Sequence, residues 1–447
     1  MRARIHLRRR SWALIAAALG AGCTPDVGAD PVPEAMELDT EAAPPRVPQP
    51  TNLVVNPLTG LIDFSLAGAA LPDDCSDATA ISPAECAFDR YLESLDGFPT
   101  VTPAAAPATA ALDPDTITLG DNVVVLALRD GDAVPEIALG FDAATRALGV
   151  RPVPSWTIGE TYFIGVRGYA AGVRASGGQQ VVGSPTLALL KQESSLTCGA
   201  ESPEAIEKRC PGLSLLSQSQ PEAVARESLV RLEQIRLGYA ASGVWERMAE
   251  AGLPKAEIAS LWGFPIHSGS VAELDPTAGL VPHVTAADEI RVDVQGPVDP
   301  ATVMGFVIRE TAGSVVLMDL TAAGAGDLVA GFPRISARYV DGAIVIAGTE
   351  PFIATHQYGL LMTRGVHDPS GAGLVPPPIS VLLTSIAPVA DDAGHSLLSS
   401  VSDADAVELE AGRRQLAQLF DNPILAPLTG LVREDLVYCF AFELQAP

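Results

Sequence analysis

Basic and aromatic residues are scarce in this 447-residue sequence. It holds 28 Lys and Arg against 54 Asp and Glu, a formal net charge of −26, and aromatics make up only 5%. A surface this acidic repels nucleic acid and anionic lipid headgroups, so we exclude nucleic acid as a partner. The low aromatic content, together with 37 Pro and 40 Gly, favours many short strands joined by turns over long helices.

The apolar stretch at the N-terminus is too short to span a membrane as a mature helix. Five arginines precede the apolar residues 12–19, and small residues then lead to Cys23. This order predicts a secretory leader over residues 1–23 and resembles a bacterial lipoprotein signal, in which Cys23 is lipidated and contacts the membrane. Gly20 stands where that pattern has an aliphatic residue, so a soluble secreted protein is the alternative. We expect an outer-membrane lipoprotein of the cell envelope, on the periplasmic or the surface face.

Cysteine is sparse, with six residues in the whole sequence. Cys75 and Cys86 bracket one short polar loop, and Cys198 and Cys210 bracket another, so we predict two local disulfides in an oxidising compartment. Cys439 lies within an apolar run and is expected to be a free, buried thiol. The spacings are too wide for a zinc site, and no histidine stands beside them.

The patterns that mark metal or cofactor sites are missing. None of the six histidines is at helical ligand spacing, although His356 and His367 flank one predicted strand and could approach each other. Two acidic loops contain Asp73, Asp74, Asp77, Asp391 and Asp392. Neither loop has the Asp-x-Asp-x-Asp-Gly spacing, so we expect solvated turns, with calcium as the alternative. We therefore predict no cofactor and no metal.

The nearest approach to a hydrolase nucleophile is Ser396. A nucleophilic serine of this class needs a strained strand-to-helix elbow flanked by glycines. The sequence Gly394-His395-Ser396 lacks the second glycine, and a polar loop precedes it in place of a buried strand. We predict that Ser396 lies in a solvent loop, that there is no catalytic residue, and that the protein is not an enzyme.

Two segments of the sequence repeat one order of helix and strand. Residues 219–268 read as a long helix, a Gly-Leu-Pro stop and an apolar strand, and residues 402–447 repeat this order, with Trp262-Gly263-Phe264 aligned to Phe440-Ala441-Phe442. Apolar side chains at helical intervals are expected to dock the two helices, and these are Leu232, Ile235, Tyr239, Leu416 and Phe420. We expect Trp245 and Trp262 to anchor helix to sheet, and we assign no ligand-binding role to Trp156 either.

Shorter matches extend this repeat toward the N-terminus. The Asp-Pro turn at 113–117 matches that at 299–303, and the strand containing Tyr162 matches the strand containing Tyr358. The apolar runs Thr186–Leu190 and Ile379–Leu383 are also predicted as matching strands. Short strands at spacings of about ten residues, with Pro and Gly turns between them, indicate antiparallel β-sandwiches.

These motifs carry a family resemblance. Leu95-Asp96-Gly97-Phe98, the two Asp-Pro-x-Thr turns, and the Tyr-containing strands followed by Arg-Gly resemble the N-terminal region of bacterial virulence-factor lipases and related surface lipoproteins. The resemblance implies Ig-like β-sandwich modules. In those lipases an α/β-hydrolase domain follows, whereas this sequence stops at Pro447 after the second helix and strand, so we expect no hydrolase domain.

The predicted fold is mainly β, with two tandem Ig-like β-sandwich units, each followed by a helix–strand element. The plan is a leader at 1–23, a disordered acidic and Pro-rich tether at 24–49, a first unit with an N-terminal hairpin at 50–218, a connecting helix and strand at 219–268, a second unit at 269–401, and a terminal helix and strand at 402–447. The predicted function is non-enzymatic binding, adhesion or assembly with a protein or glycan partner at the cell surface. The alternative is an accessory or degenerate member of the extracellular lipase group that binds or hydrolyses an ester or lipid.

Overall fold

The computed structural model describes residues 33–38, 46–67, 70–78, 81–129, 134–209, 222–272, 289–307, 313–325, 327, 330–421 and 430–443. The predicted leader with Cys23 and most of the predicted tether lie outside these residues. In the described part of the chain, no helix is long and apolar enough to cross a membrane.

The described residues form a β-rich fold of five small sheets. The strands are β1 Glu34–Met36, β2 Ala104–Pro107, β3 Val123–Ala127, β4 Glu136–Asp142, β5 Ala147–Val153, β6 Thr161–Arg167, β7 Val181–Gly183, β8 Ile258–Pro265, β9 Val271–Ala272, β10 Ile290–Gln295, β11 Val315–Asp319, β12 Ile335–Val340, β13 Ala343–Gly348, β14 Gln357–Thr363 and β15 Leu436–Glu443. The helices are α1 Pro83–Glu93, α2 Pro185–Leu190, α3 Pro203–Arg209, α4 Glu222–Ala241, α5 Val244–Glu250, α6 Leu320–Gly324, α7 Pro378–Thr384 and α8 Asp403–Asp421.

The first unit contains two antiparallel sheets that share one hydrophobic core. Their strand orders are β2-β5-β4 and β3-β6-β8. Residues of both sheets are buried together, and Trp156 packs against Tyr162 with ring centroids 4.5 Å apart and against Phe264 at 5.5 Å. Strand β3 is buried on both faces because Val123 and Val125 point into this core while Val124 points to a helix layer.

The helix layer covers the outer face of sheet β3-β6-β8. Tyr239 and Trp245, from α4 and α5, pack in one cluster with Phe163. Gly243 separates the two helices in the left-handed conformation, with φ 64°. Gly165 permits the close approach of the layer, since a Cβ there would lie 2.9 Å from the sulfur of Met248.

The second unit repeats this arrangement with strand orders β12-β13-β10-β9 and β11-β14-β15. Tyr162 pairs with Phe264 in the first unit, and Tyr358 pairs with Phe442 in the second. Both pairings carry a register shift at the same end, after Val166 and after Met362. The predicted repeat of helix and strand is therefore confirmed down to the register of the strands. The predicted docking side chains also pack on the sheets, with Leu232, Ile235 and Tyr239 in one cluster and Leu416 and Phe420 in the other.

Two predicted strands are wrong. The runs Thr186–Leu190 and Ile379–Leu383 are the short helices α2 and α7. A five-residue apolar run has no period that separates a strand from a buried helix. The decisive signal was proline at the first helical turn, at Pro185 and Pro378, where a missing N–H costs nothing.

The prediction of a disordered tether through residue 49 is also wrong in part. Strand β1 pairs in parallel with β7, and Met36 is buried in the first core. Backbone hydrogen bonds to Gln180 and Pro107 and the packing of Leu38 on the helix layer also hold this segment, although its composition is polar. The predicted N-terminal hairpin is a pair of 3-10 turns, Asn52–Val54 and Phe64–Ala67, joined by one bridge between Val55 and Ile62.

Candidate functional site

A disulfide-bonded helix of the first unit reaches across to the second. Cys75, in the turn Cys75–Asp77, is bonded to Cys86 in α1 with an S–S distance of 2.06 Å. We call this turn and α1 the strap. Ser82 caps α1 by accepting a hydrogen bond from the Glu85 N–H at 3.0 Å, and its hydroxyl donates to the carbonyl of Leu397 in the second unit. One serine therefore fixes both the start of the helix and its docking.

Further contacts hold the strap against the second unit. Tyr91 Oη donates to the carbonyl of Pro376 at 2.6 Å. The Glu85 carboxylate accepts from the N–H and the hydroxyl of Ser399 at 2.7 and 2.6 Å. Apolar side chains from both units form one buried cluster, which contains Ala84, Phe88, Leu382, Val389 and Leu398. This mixture of apolar packing and hydrogen bonds fixes the strap in orientation as well as in position.

A second contact between the units is made by Gln295. Its amide nitrogen donates to Ser155 Oγ at 2.8 Å and to the Trp156 carbonyl at 3.0 Å, and its amide oxygen accepts from the Ile158 N–H at 3.1 Å. These partners belong to the loop before β6. Two contact regions, at the strap and at Gln295, restrain the units more than either would alone.

The strap carries three carboxyl groups one helical turn apart, at Glu85, Asp89 and Glu93. Asp89 is partly buried between the other two. Burial first, and then the negative charges of Glu85 and Glu93, raise the pKa of Asp89 from 3.8 to about 7. The strap therefore carries a carboxyl group whose pKa is raised well above that of an exposed aspartate.

Each unit also contains a buried Glu–Arg pair on its long helix, α4 or α8. The pair forms hydrogen bonds to backbone groups that follow the short helix of the same unit, α2 or α7. In the first unit, Glu233 on α4 accepts from Arg236 at 2.7 and 2.8 Å and from the Leu196 N–H at 3.0 Å. In the second, Glu410 on α8 accepts from Arg413 at 2.8 Å and from the Val389 N–H at 3.0 Å. The arginines donate onward to carbonyls that follow α2 and α7.

These pairs perturb the ionisation of both glutamates. Hydrogen bonding to the partner arginine lowers the pKa of Glu233 from 4.5 to about 2, against the opposing effect of burial. Arg413 does the same for Glu410, whose pKa is also about 2. Neither pair was predicted from the sequence. Their signal was the repeated Leu-Glu-x-x-Arg, at Leu232 and Leu409.

An Asp–His pair occurs in the second unit. His356 Nδ1 lies 2.7 Å from Asp319 Oδ2, and the Asp319 side chain is almost fully buried. Asp319 also caps α6 by accepting from the Ala322 N–H at 2.9 Å. The histidine side chain is partly exposed, and its contact with Asp319 fixes the orientation of the imidazole ring.

The corresponding position of the first unit lacks this pair. Glu160, two residues before Tyr162 as His356 is before Tyr358, accepts instead from the N–H groups of Leu128 and Arg129 at 3.0 and 3.2 Å. His367 lies at the other end of β14 from His356, with Nδ1 3.0 Å from the Asp368 carbonyl. The sequence had left open an approach of these two histidines, and the strand between them keeps them apart.

Ser396 lies in a turn. Its hydroxyl donates to the Leu398 carbonyl at 2.9 Å and accepts from the Leu398 N–H at 3.1 Å. The neighbouring His395 pairs with Asp391 at 3.2 Å, and both are exposed. Asp391 also accepts from the Ala393 and His395 N–H groups, which is a turn role. In the residues described here, no three His, Cys, Asp or Glu side chains are placed to hold a metal ion.

The cysteines agree with the predictions as far as they can be seen. The Cys75–Cys86 disulfide is confirmed. Cys198 is also disulfide-bonded, and its predicted partner Cys210 lies outside the described residues. Cys439 is free and buried, as predicted, and burial raises the pKa of its thiol to about 12.

The three tryptophans that the structure describes are packing residues. Trp245 joins the helix layer to the sheet, as predicted, and Trp156 donates from Nε1 to the Thr102 carbonyl at 2.8 Å. Trp262 lies in the hydrophobic core of the first unit and lines a cavity of about 10 Å³. A cavity of that size holds about one water molecule and is too small for an organic ligand.

The chain is not matched by any protein-family model, and it matches no curated protein.

Proposed function

We propose that this protein is a non-enzymatic, lipid-anchored component of the cell envelope that binds or assembles with a protein or glycan at the cell surface. Its folded part consists of two tandem Ig-like β-sandwich units. The paired sheets around one core and the recurrence of the helix–strand element with the same register support the tandem reading. The leader and Cys23 support the lipid anchor.

The observation that carries the proposal is the inter-unit strap. A protein that presents two modules to a partner gains affinity when their arrangement is fixed before binding, because less conformational freedom is lost on association. Ser82, Glu85 and Tyr91 all bond from the strap to the second unit. The disulfide at Cys86 adds a covalent restraint on the strap itself, which suits an oxidising compartment.

One experiment separates binding from catalysis. The soluble form with Cys23→Ser is added to cells that lack the gene, and the same preparation is incubated with p-nitrophenyl butyrate. Saturable binding that survives Ser396→Ala supports the proposal. Ester turnover without saturable binding would overturn it. The anchor is tested separately by intact mass, since a diacylated N-terminus at Cys23 partitions into detergent and the Cys23→Ser protein does not.

The Asp319–His356 pair favours a second candidate, a protein of the extracellular lipase group that hydrolyses esters. A carboxylate-held imidazole can act as a general base. In this case His356→Gln abolishes turnover of the ester. His395→Gln is the matched control, because His395 also pairs with an aspartate but in an exposed turn.

A further inference from the structure

Two equivalent strands, one in each unit, form open edges of their sheets. Strand β4 is the outer strand of the order β2-β5-β4, and β12 holds the same place in the order β12-β13-β10-β9. Other outer strands are bridged by neighbouring chain, since Gln49 pairs with Ala105 of β2 and Gly305 pairs with Val315 of β11. In the part of the chain that the structure describes, no strand or bridge pairs with the outer side of β4 or β12.

Neither strand has the features that usually protect an open edge. Edge strands are commonly blunted by lysine, proline or a β-bulge. Strand β4 reads EIALGFD and β12 reads ISARYV, without lysine or proline, and both pair with their inner neighbours without a register shift. The chain at Gly305 passes beside the Ile335 carbonyl, so the open part of β12 begins at Ser336. Backbone N–H and C=O groups along both edges can therefore accept another strand.

The inner faces of the two edges leave apolar side chains half covered. Leu139 and Phe141 of β4 pack on the core of the first unit and remain partly exposed. Ala337 and Tyr339 of β12 do the same on the core of the second unit. A strand added at either edge would cover these side chains and remove apolar surface from water.

The outer faces of the two edges carry opposite charges. Exposed carboxylates stand at the two ends of β4, at Glu136 and Asp142. Exposed guanidinium groups stand on β12 at Arg338 and just before it at Arg334. Arg338 contacts Glu289 at 2.6 Å, in an exposed pair that a second carboxylate can join. Two β4 edges would oppose acid to acid and two β12 edges arginine to arginine, so like edges repel and unlike edges attract.

We propose that β4 of one molecule pairs in antiparallel with β12 of a second copy of this chain. In the register that fits the charges best, Asp142 lies directly opposite Arg334, and Glu136 lies diagonally across from Arg338. This inference rests on the assembly role proposed above and names one partner for it. Because each molecule offers one edge of each kind, the contact is heterologous and builds an open chain or a closed ring of copies.

The same register matches the backbones and the apolar faces. Residues that flank a two-residue hairpin turn bond to each other, so Val340 faces β13 and Ala337 faces the open edge. On β4, the register through β5 to β2, whose Ala105 bonds to Gln49, leaves Leu139 facing the open edge. The proposed register places Leu139 opposite Ala337, so donors meet acceptors and both apolar faces lie on one side.

The overall charge of the protein opposes association but does not decide it. The formal net charge of −26 makes two copies repel each other at a distance. At physiological salt, exposed charges separated by more than about 8 Å are largely screened. The charges at the paired edges therefore determine which surfaces meet.

Charge reversal tests which edges pair. Sedimentation velocity of the soluble Cys23→Ser protein should show a mass that rises with concentration. Reversing Arg334 and Arg338 to Glu, or Glu136 and Asp142 to Arg, should weaken association by about tenfold or more, and mixing the two double variants should restore it. Glu408→Arg, on the exposed face of α8, is the control and should leave association unchanged. A single monomeric species throughout, unaltered association in the double variants, or no recovery in the mixture overturns the proposal.

Disulfide trapping tests the register. Gly140→Cys and Ser336→Cys lie opposite each other in the proposed pairing, at a non-hydrogen-bonded position where Cα atoms are about 4.5 Å apart. A Cβ at Gly140 would meet nothing within 4 Å, so cysteine fits there. Mild oxidation of the mixed variants should give a Gly140→Cys–Ser336→Cys dimer, while the buried Cys439 stays free. A higher yield of either variant bonded to itself, or no mixed dimer, overturns the pairing.

Self-association and cell binding are measured separately, so the two proposals can fail separately. Loss of self-association with saturable cell binding retained overturns this inference alone. Self-association without saturable cell binding supports this inference and leaves the proposed role at the cell surface without support. Circular dichroism of each variant confirms that the comparisons are made on folded protein.

Discussion

Replacing Glu410 with Gln should destabilise the second unit by about 3 kcal/mol at pH 7. Glutamine keeps the size of the side chain but cannot balance the charge of Arg413, which bonds to Glu410 at 2.8 Å. The pKa of Glu410 falls from 4.5 to about 2 in the fold. At 1.36 kcal/mol per pKa unit this corresponds to about 3 kcal/mol, which agrees with the usual cost of breaking a buried ion pair.

The same pair sets a pH dependence. A glutamate whose pKa is depressed in the folded state contributes stability that is fully present above its unfolded value of 4.5. That contribution is lost as the pH falls from 4.5 toward 2, when both states become protonated. Glu410→Gln should therefore destabilise the fold most at pH 7 and little near pH 2.

Urea unfolding measured by two signals can place the effect in one unit. The three tryptophans outside the predicted leader, Trp156, Trp245 and Trp262, all lie in the first unit. In the mature protein, tryptophan fluorescence therefore reports that unit, while far-UV circular dichroism reports both. Glu410→Gln should lower the urea midpoint of the circular dichroism transition more than that of the fluorescence transition. Glu233→Gln should lower the fluorescence midpoint more. Glu408→Gln, on the exposed face of α8, is the control and should stay within about 0.5 kcal/mol. An unchanged urea midpoint for Glu410→Gln at pH 7, or an equal loss of stability at pH 2, would show that the Glu410–Arg413 ion pair does not stabilise the fold.

Three further predictions follow from buried groups. Phe442→Ala should lower the free energy of unfolding in urea melts by roughly 3–5 kcal/mol, because its ring is 3% exposed and stacks on Tyr358. Leu237→Ala is the control, since its side chain is 51% exposed, and it should lower the free energy of unfolding by less than about 0.5 kcal/mol. Asp89→Asn should stabilise the protein by roughly 1–2 kcal/mol at pH 8, allowing for solvent screening, and should have no effect near pH 4. The raised pKa of Asp89 penalises its ionised form in the fold, and this penalty grows as the pH rises from 3.8 to about 7. Equal stability of the variant and the parent protein at pH 8 would contradict this. Cys439 should resist alkylation until the protein unfolds, and modification at the rate of a free thiol would show that β15 is frayed.

The sequence was most informative where a periodic helix and its stop signals recur. The helix–strand elements at 219–268 and 402–447 could be aligned residue by residue, and the strand register follows that alignment. The predictions of strands at Thr186–Leu190 and Ile379–Leu383 were wrong because a short apolar segment fits a strand or a buried helix equally well. The proline at the start of α2 and of α7 was the available sign.

The inter-unit contacts could not be predicted from the sequence. Ser82 bonds to Leu397 and Glu85 to Ser399, across more than 300 residues, and no local pattern relates them. The buried Glu–Arg pairs are an intermediate case, because the repeated Leu-Glu-x-x-Arg could have been noticed once the two helices were aligned.

A distance distribution between the two units tests whether their arrangement is fixed. Spin labels are placed on Glu246→Cys in the first unit and Glu408→Cys in the second, both exposed positions, while the buried Cys439 stays unlabelled. Electron–electron double resonance should give one narrow distance distribution, which broadens when Phe88→Ala and Tyr91→Phe weaken the strap. A broad distribution in the protein with an intact strap would contradict the account.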